Sequence, residues 1–382
     1  MVAGARTGNV PVLSGESSLS RFARLCEIPS PTGEEAAVAA FVSAELEGFG
    51  LAVDEDDAAG PADAGSGNLL ARIPGETDTW VAFCAHLDTV PHDGQIDVVL
   101  DDGIYRSAGE TILGADNKAA VAVLVELAAR HCQKPPPVGI ELLFTVAEEQ
   151  GLRGAAAFDL TKLKSSMVFV LDQATDIGEV IVAAPSHFRI EARFSGVEAH
   201  AGLDPESGHS AIVAAAAAIT DMKLGRLDPE TTANIGLVDG GTSGNVIPGS
   251  CRVSGEARSV DPARAVETVT SMSDSMIWAA SENGCEVDIR TEQVFAGYRI
   301  GDDSEALKVA EAALSSRGHE PRRVATGGGS DANVFNAHGW DAILLANGTY
   351  DNHTHQEWVP RENLVEMLEV CEAVLVEARA TC

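Results

Sequence analysis

Three short apolar runs in the first half of the chain, Trp80 to Ala85, Ile140 to Val146 and Met167 to Leu171, are followed within two residues by His86, Glu148 and Asp172. Each run reads as a buried strand, and helical patterns lie between and before them: Ser18 to Cys26, Glu34 to Leu46 and Ala119 to Ala129. Strand and helix in alternation predict an α/β domain built on a mainly parallel sheet with flanking helices. Ligands of such sheets gather beyond the carboxyl ends of the strands, where these three residues would lie. The turn cluster Ile28 to Gly33 separates the first two helices, and the acidic, Gly-rich stretch Asp54 to Gly67 reads as a loop.

The pattern changes near Pro185. Phe188 to Phe194 alternates like a half-buried strand, and Ser210 to Met222 predicts an Ala-rich helix with Ile212, Ala215, Ala216 and Ile219 on one face. Strands at Thr232 to Val238 and Cys251 to Ala257, a helix from Pro262 to about Ala280 and a strand at Cys285 to Thr291 complete the order of an α+β split β-α-β sandwich. The expected organisation is a first part of a catalytic domain at 1–185, an inserted domain at 186–294 and a second catalytic part at 295–382. In that last part, Ser304 to Ser315 and Glu362 to Ala378 read as helices and Ile343 to Ala346 as a strand.

His86 and Asp88 stand in His-Leu-Asp-Thr-Val, Asp116 in Gly-Ala-Asp-Asn-Lys, Glu148 and Glu149 form a doublet, and His353 lies in Asn-His-Thr-His-Gln-Glu-Trp. With Asp172 these supply imidazole and carboxylate groups, a mixture suited to zinc, manganese or cobalt rather than to a thiolate site. Folding the strand ends together would put two histidines and three carboxylates around a pair of metals and leave one carboxylate for proton transfer, as a hydrolytic two-metal site requires. Each residue has a plainer reading. Asp116 could cap the following helix, the Glu doublet could edge a solvated loop, and His355 competes with His353 as a ligand. His92, His131, His319 and His338 have no motif around them and read as surface or core residues.

A formal charge of −32 excludes a nucleic-acid partner, because a phosphate backbone needs a basic footprint. The seven cysteines are an odd number without a Cys-x-x-Cys pair, which suggests reduced, mostly buried thiols. No apolar stretch approaches a membrane span and the N-terminus lacks an apolar leader core, so a cytoplasmic protein is expected. The loop Thr326 to Asn333 is rich in glycine, but no Walker lysine follows it and a nucleotide site is rejected.

Taken together, His-Leu-Asp-Thr-Val, Gly-Ala-Asp-Asn-Lys, Glu-Glu-x-Gly-Leu-x-Gly, Ala-His-Ala-Gly and His-Thr-x-x-Glu occur in an order and approximate spacing that resembles the co-catalytic di-metal exopeptidase and aminoacylase family. That family includes peptidase T, carboxypeptidase G and the aminoacylases, and the resemblance runs from about residue 18 to 375. It implies the di-zinc exopeptidase type of fold, with the inserted domain acting as a lid and a homodimerisation domain. It also implies that His86 and Asp172 bind one metal, that Glu149 and His353 bind the other, and that Asp116 bridges them. Glu148 would be the general base and Asp88 would orient His86. From the lid, His200 would donate a hydrogen bond to the oxyanion, although a turn histidine would read the same way. Asn245 and Arg258 match substrate-facing positions, while Arg258 could equally form a surface ion pair. Gly328, Gly329 and Ser330 would border the substrate pocket. Asp172 and the Gly-Gly-Ser-Asp-Ala-Asn loop resemble the peptidase T branch, which implies an aminopeptidase acting on short peptides such as tripeptides. Gln173 departs from the small residue expected there. An N-acyl amino acid deacylase or carboxypeptidase of the same family is the alternative, and an inert binding or scaffold protein is the remote one.

Overall fold

The computed structural model describes residues 16–380; the N-terminal stretch read above for a leader, and Cys382, lie outside the described residues. The chain folds as two compact units. One comprises the described residues up to Val180, Glu305–Arg322 and the described residues from Ala342 onward, and the other comprises Ile181–Ser304 and Arg323–Asp341. Compared with the sequence reading, the second unit starts and ends outside 186–294 and also takes in the Gly-rich loop and the short helix Asp331–Ala337 after it.

The predicted strands of the first unit form, and they lie side by side. Trp80–His86 pairs in parallel with both Gly139–Thr145 and Met167–Gln173, so the carboxyl ends of all three strands point the same way. Asp341–Ala346 follows Met167–Gln173 in the sheet. Two antiparallel strands, Leu69–Ile73 and Val53–Glu55, extend the other side. The stretch Asp54 to Gly67, read as a loop, therefore holds part of a strand, and it also contains the short helix Ala59–Ala62. The central strands are buried on both faces, as their near-continuous apolar runs require.

Helix Ala115–His131 covers this sheet and is buried almost all round from Ala119 to Ala128. It packs against Glu16–Cys26, Ala36–Gly48 and Arg361–Ala380. Its many alanines allow that close approach. Arg21, almost fully buried, ties three of these helices together by ion pairs to Glu126 at 2.7 Å and Glu45 at 2.9 Å. A buried guanidinium is tolerated here because both partners hydrogen-bond to it.

The second unit contains a five-stranded antiparallel sheet in the order Gly225–Asp228, Thr231–Gly240, Ser250–Ser259, Ser186–Ser195, Glu286–Phe295. Helices Ala211–Asp221 and Pro262–Glu282 pack on it around Ile190, Phe194, Val253, Met272 and Met276. The longer helix starts where its chemistry dictates. Asp261 accepts the N–H of Ala263 at 2.9 Å, and Pro262 occupies the first helical position, whose N–H needs no partner.

The buried face of Ala211–Asp221 overlaps the predicted one only in part: Ala215 is buried and Ile219 packs against the core, but Ile212 and Ala216 are exposed. Ala211, Ala214, Ala215 and Ala218 face the core, whereas Ile212 and Val213 are 39% and 54% exposed. Close packing against the neighbouring helix favours the smallest side chains along most of this face and leaves Ile212 and Val213 outside it. Among the described residues no helix is long and apolar enough to cross a membrane. The described cysteines are all free thiols, four of them buried.

Candidate metal centre

His86 ends its strand almost completely buried, and its two ring nitrogens face different partners. Nδ1 donates to the backbone carbonyl of Asp88 at 2.9 Å, which leaves Nε2 as the electron-pair donor. Nε2 lies 3.1 Å from Asp116 Oδ1 and 3.3 Å from Asp172 Oδ1. On the other side of Asp116, Oδ2 lies 3.1 Å from His353 Nε2, which is also 3.0 Å from Glu149 Oε1. One carboxylate thus presents one oxygen to each imidazole.

These separations test whether a metal pair suits the residues. Ligands about 2.0–2.1 Å from a tetrahedral zinc stand roughly 3.3 Å from each other, close to the spacing observed on both sides of Asp116. Ligand atoms of His86, Glu148 and Asp172, and those of His86, Asp116 and Glu149, each fall within 4.8 Å of one another. His353, which those two groups omit, belongs with Asp116 and Glu149 on its contact distances. The electrostatics agree. Burial works to lower the basicity of His86, but Asp172, Asp116 and Asp88 outweigh it and hold its pKa well above the usual value. Hydrogen bonds that its Nε2–H donates to Asp116 and Glu149 raise His353 to about 10. A cluster that favours positive charge this strongly at its centre is suited to a cation.

The backbone around these ligands is fixed by carboxylates. The two carboxylate oxygens of Asp116 meet the two histidines, and its backbone departs from the helix, at φ −84° and ψ 102°, near the start of Ala115–His131. Glu357, nearly buried, accepts the N–H groups of Leu113 and Gly114 at 2.7 Å and of Asp116 at 2.9 Å. Burial pushes Glu357 up to about 7. Glu35 is fully buried and accepts from Gly33, Gly65 and Ala147, the residue just before the Glu doublet. Ala147 sits at φ +50°, in the left-handed region that costs a residue bearing a Cβ about 1 kcal/mol or more, so an external anchor there has a clear purpose.

The Asp88 carboxylate has partners besides His86. Its Oδ1 is 3.4 Å from the imidazole, farther than its own backbone carbonyl, while the carboxylate accepts the N–H of Glu148 at 3.0 Å and of Glu149 at 3.2 Å. Thr32, from the predicted turn cluster, adds a hydroxyl bond at 2.8 Å. Ser30 of the same turn accepts from the buried ammonium of Lys118 and donates to Leu87. Asn117, also buried, donates to Asp172 at 3.0 Å. Glu35, Asn117 and Lys118 were not singled out from the sequence, although the last two lie within a quoted motif.

The other predicted residues belong to the second unit. His200 is exposed on the two-residue strand Ala199–His200, paired with Val246–Ile247. The Gly202 N–H donates to its Nδ1 at 3.1 Å, so Nε2 carries the ring proton. Asn245 adjoins it, its carbonyl accepting from Ala201 at 2.9 Å. The fork of Arg258 is held by both oxygens of Glu256 at 3.1 Å, the ion-pair alternative, with Gly327 O at 3.4 Å. Ser330 is buried and caps helix Asp331–Ala337 in a reciprocal box with Asn333. At Gly329 a Cβ would stand 2.2 Å from the Phe295 ring, so packing demands glycine there, whereas at Gly328 a Cβ would meet nothing closer than 3.8 Å.

The chain matches the family described as Peptidase family M20/M25/M40 over residues 82–377. It is 36% identical over 363 residues to uncharacterized protein YqjE of Bacillus subtilis strain 168, spanning 94% of this chain and 98% of the relative. Among solved structures, aminopeptidase PepT from Bacillus cereus ATCC 10987 is 35% identical with a TM-score of 0.86, covering 96% of this chain and 100% of that one. A tripeptidase from Staphylococcus aureus subsp. aureus mu50 is 32% identical with a TM-score of 0.90, covering 97% and 100%. With His86, His353 and the carboxylates gathered as described, the chain belongs to peptidase family M20/M25/M40, is a hydrolase, and falls with the peptidase T-like branch.

Proposed function

We propose that the protein is a metal-dependent aminopeptidase that removes the N-terminal residue from short peptides, tripeptides among them. The observation that carries this reading is the sharing of Asp116 between His86 and His353, each with a further carboxylate within 3.3 Å. Similarity to an aminopeptidase and a tripeptidase over nearly the full chain supports the substrate class.

His86 and Asp172 would hold one divalent cation, Glu149 and His353 the other, with Asp116 between; zinc suits the donors, and manganese or cobalt could replace it. When bound, the pair supplies Lewis acidity toward the scissile carbonyl and acidifies the attacking water. Glu148, within 4.8 Å of the His86 and Asp172 ligand atoms, takes the proton from that water and delivers it to the leaving nitrogen. Asp88 holds Glu148 in place through its backbone N–H. His200 is assigned as the donor to the oxyanion, supported by its Nε2–H tautomer. Asn245, Arg258 and the Gly328–Ser330 loop are assigned to the substrate side on resemblance; the existing bonds of Arg258 and Ser330 make theirs a supporting role.

Homodimerisation is assigned to the second unit. Its support is exposed apolar surface on helix Ala211–Asp221 and on strand Thr231–Gly240, where Leu237 is 69% exposed. The free thiols of the described cysteines suit a reducing, cytoplasmic setting.

The deciding experiment gives the metal-loaded protein one tripeptide, free and N-acetylated, and identifies products by mass spectrometry. Release of the N-terminal residue from the free peptide alone is expected. Cleavage of the acetylated form alone would make it a deacylase or carboxypeptidase, and no cleavage of either would favour an inert scaffold.

A further inference from the structure

Lys118 lies in helix Ala115–His131, just after its kink at Asp116 and Asn117, and its side chain is fully buried. Lysine is almost never buried to this extent without compensation, because an ammonium taken out of water is costly. Neither the ligand set nor the proton path proposed above uses it.

Its ammonium donates to Ser30 Oγ, and Ser30 is itself fully buried. The same hydroxyl donates to the Leu87 carbonyl at 2.9 Å. The Ser30 carbonyl accepts the N–H of Thr89 at 2.9 Å, and the Thr89 carbonyl accepts that of Thr32 at 3.1 Å. Residues 30–32 are thereby fastened along residues 87–89, with Asp88 in the middle.

The fastened turn and strand end carry two fully buried carboxylates, Glu35 and Asp88. Their charges act favourably on the Lys118 ammonium, while the nearby Cys26 thiol is kept neutral by burial. Between them they accept three consecutive backbone N–H groups: Ala147 to Glu35 at 3.2 Å, and Glu148 and Glu149 to Asp88 at 3.0 and 3.2 Å. The chain reaches Glu148 through the left-handed Ala147, so the direction in which that side chain emerges depends on the two acceptors.

We propose that Lys118 is a positioning residue for Glu148: through Ser30 its ammonium holds the turn at 30–35 against residues 87–89 and offsets the charge of the two carboxylates that fix residues 147–149. The inference deepens the proposed reaction and rests on Glu148 as its base. Lys118→Met keeps an unbranched side chain of similar length and removes the charge and the donors.

The test compares wild type with Lys118→Met and Ser30→Ala, each alone and combined with Glu148→Gln. Three readouts are taken: kcat and KM on the free tripeptide, metal content by elemental analysis, and amide hydrogen exchange over residues 147–149 by mass spectrometry. Lys118→Met should lower kcat about 10–100-fold, the range found for groups that support a metal site, with KM and metal content within about twofold of wild type. Exchange over 147–149 should quicken about tenfold, the scale of one hydrogen bond to a charged group, and exchange in strand Ser250–Ser259 should stay as it was. Ser30→Ala should act in the same direction, and it carries the decision if Lys118→Met fails to fold. Because the effect runs through Glu148, neither change should slow the Glu148→Gln protein by more than about a further twofold. The positioning role is overturned by unchanged exchange over 147–149, by unchanged kcat in an active enzyme, by metal loss that tracks the loss of rate, or by equal losses with and without the Glu148 carboxylate. Faster exchange over 147–149 in a protein that cleaves neither the free nor the acetylated tripeptide sinks the aminopeptidase reading and keeps Lys118 as the holder of that turn; N-terminal release with unchanged exchange does the reverse.

Discussion

The backbone N–H of Glu148 donates to Asp88 Oδ1 across 3.0 Å, so the residue that follows one strand end sets the position of the residue that follows another. Asp88 accepts from Glu149 and Thr32 as well, which gives its two oxygens three donors besides the nearby His86 ring. Asparagine at 88 would offer one acceptor oxygen and turn an NH₂ group toward N–H or O–H donors. Asp88→Asn is therefore expected to lower kcat about 10–100-fold, the range found for groups supporting metal ligands, with a smaller change in KM. Steady-state kinetics at matched metal content checks this, and an unchanged kcat would remove Asp88 from the supporting role.

Glu148 is expected to be separable from metal binding. Glu148→Gln preserves shape but cannot take a proton, and loss of a general base costs about 10²–10⁴-fold in rate. The variant should keep the wild-type metal content by elemental analysis while losing turnover on that scale. Near-normal hydrolysis would reassign the base.

Asp116 should behave in the opposite way, because it touches both imidazoles. Asp116→Ala is expected to lower metal content and activity together. Chelation of the wild type should lower the unfolding temperature and abolish hydrolysis, and readdition of zinc should restore both, since metal bound only by the folded chain stabilises it. A chelated protein with unchanged melting temperature and full activity would contradict a metal centre at these residues.

Much of this centre was legible because each of His86, Glu148 and Asp172 follows an apolar run, and in a parallel sheet the run fixes where its end must lie. Glu35 and Glu357 were not readable as anchors. Their partners are backbone N–H groups, which any sequence supplies, and they come from far along the chain: Ala147 is 112 residues from Glu35, and Asp116 is 241 from Glu357. Strand Leu69–Ile73 was missed because five residues give too little alternation to separate it from a loop. The Ala211–Asp221 helix was recognised and its face only partly so, with Ala215 and Ile219 inward but Ile212 and Ala216 exposed, since a run of alanines offers little contrast between faces.

Away from the metal centre, the Glu256 carboxylate gives a pH test of stability. His187, with Nε2 at 3.1 Å, holds it down most, against a cost of burial, and Arg258 adds to the effect; its pKa falls from 4.5 to about 2. A folded pKa below the unfolded one means that the stabilisation is fully present above about pH 4.5 and is lost as the pH falls toward 2. Glu256 is 37% exposed, so solvent screening limits the contribution to about 1 kcal/mol or less. Glu256→Gln should thus be less stable than wild type by that amount at pH 7 and at pH 5, with the gap narrowing at pH 3.5. Urea unfolding at the three pH values measures it. A gap that widens in acid would reverse the sign and rule out the depressed carboxylate as its source.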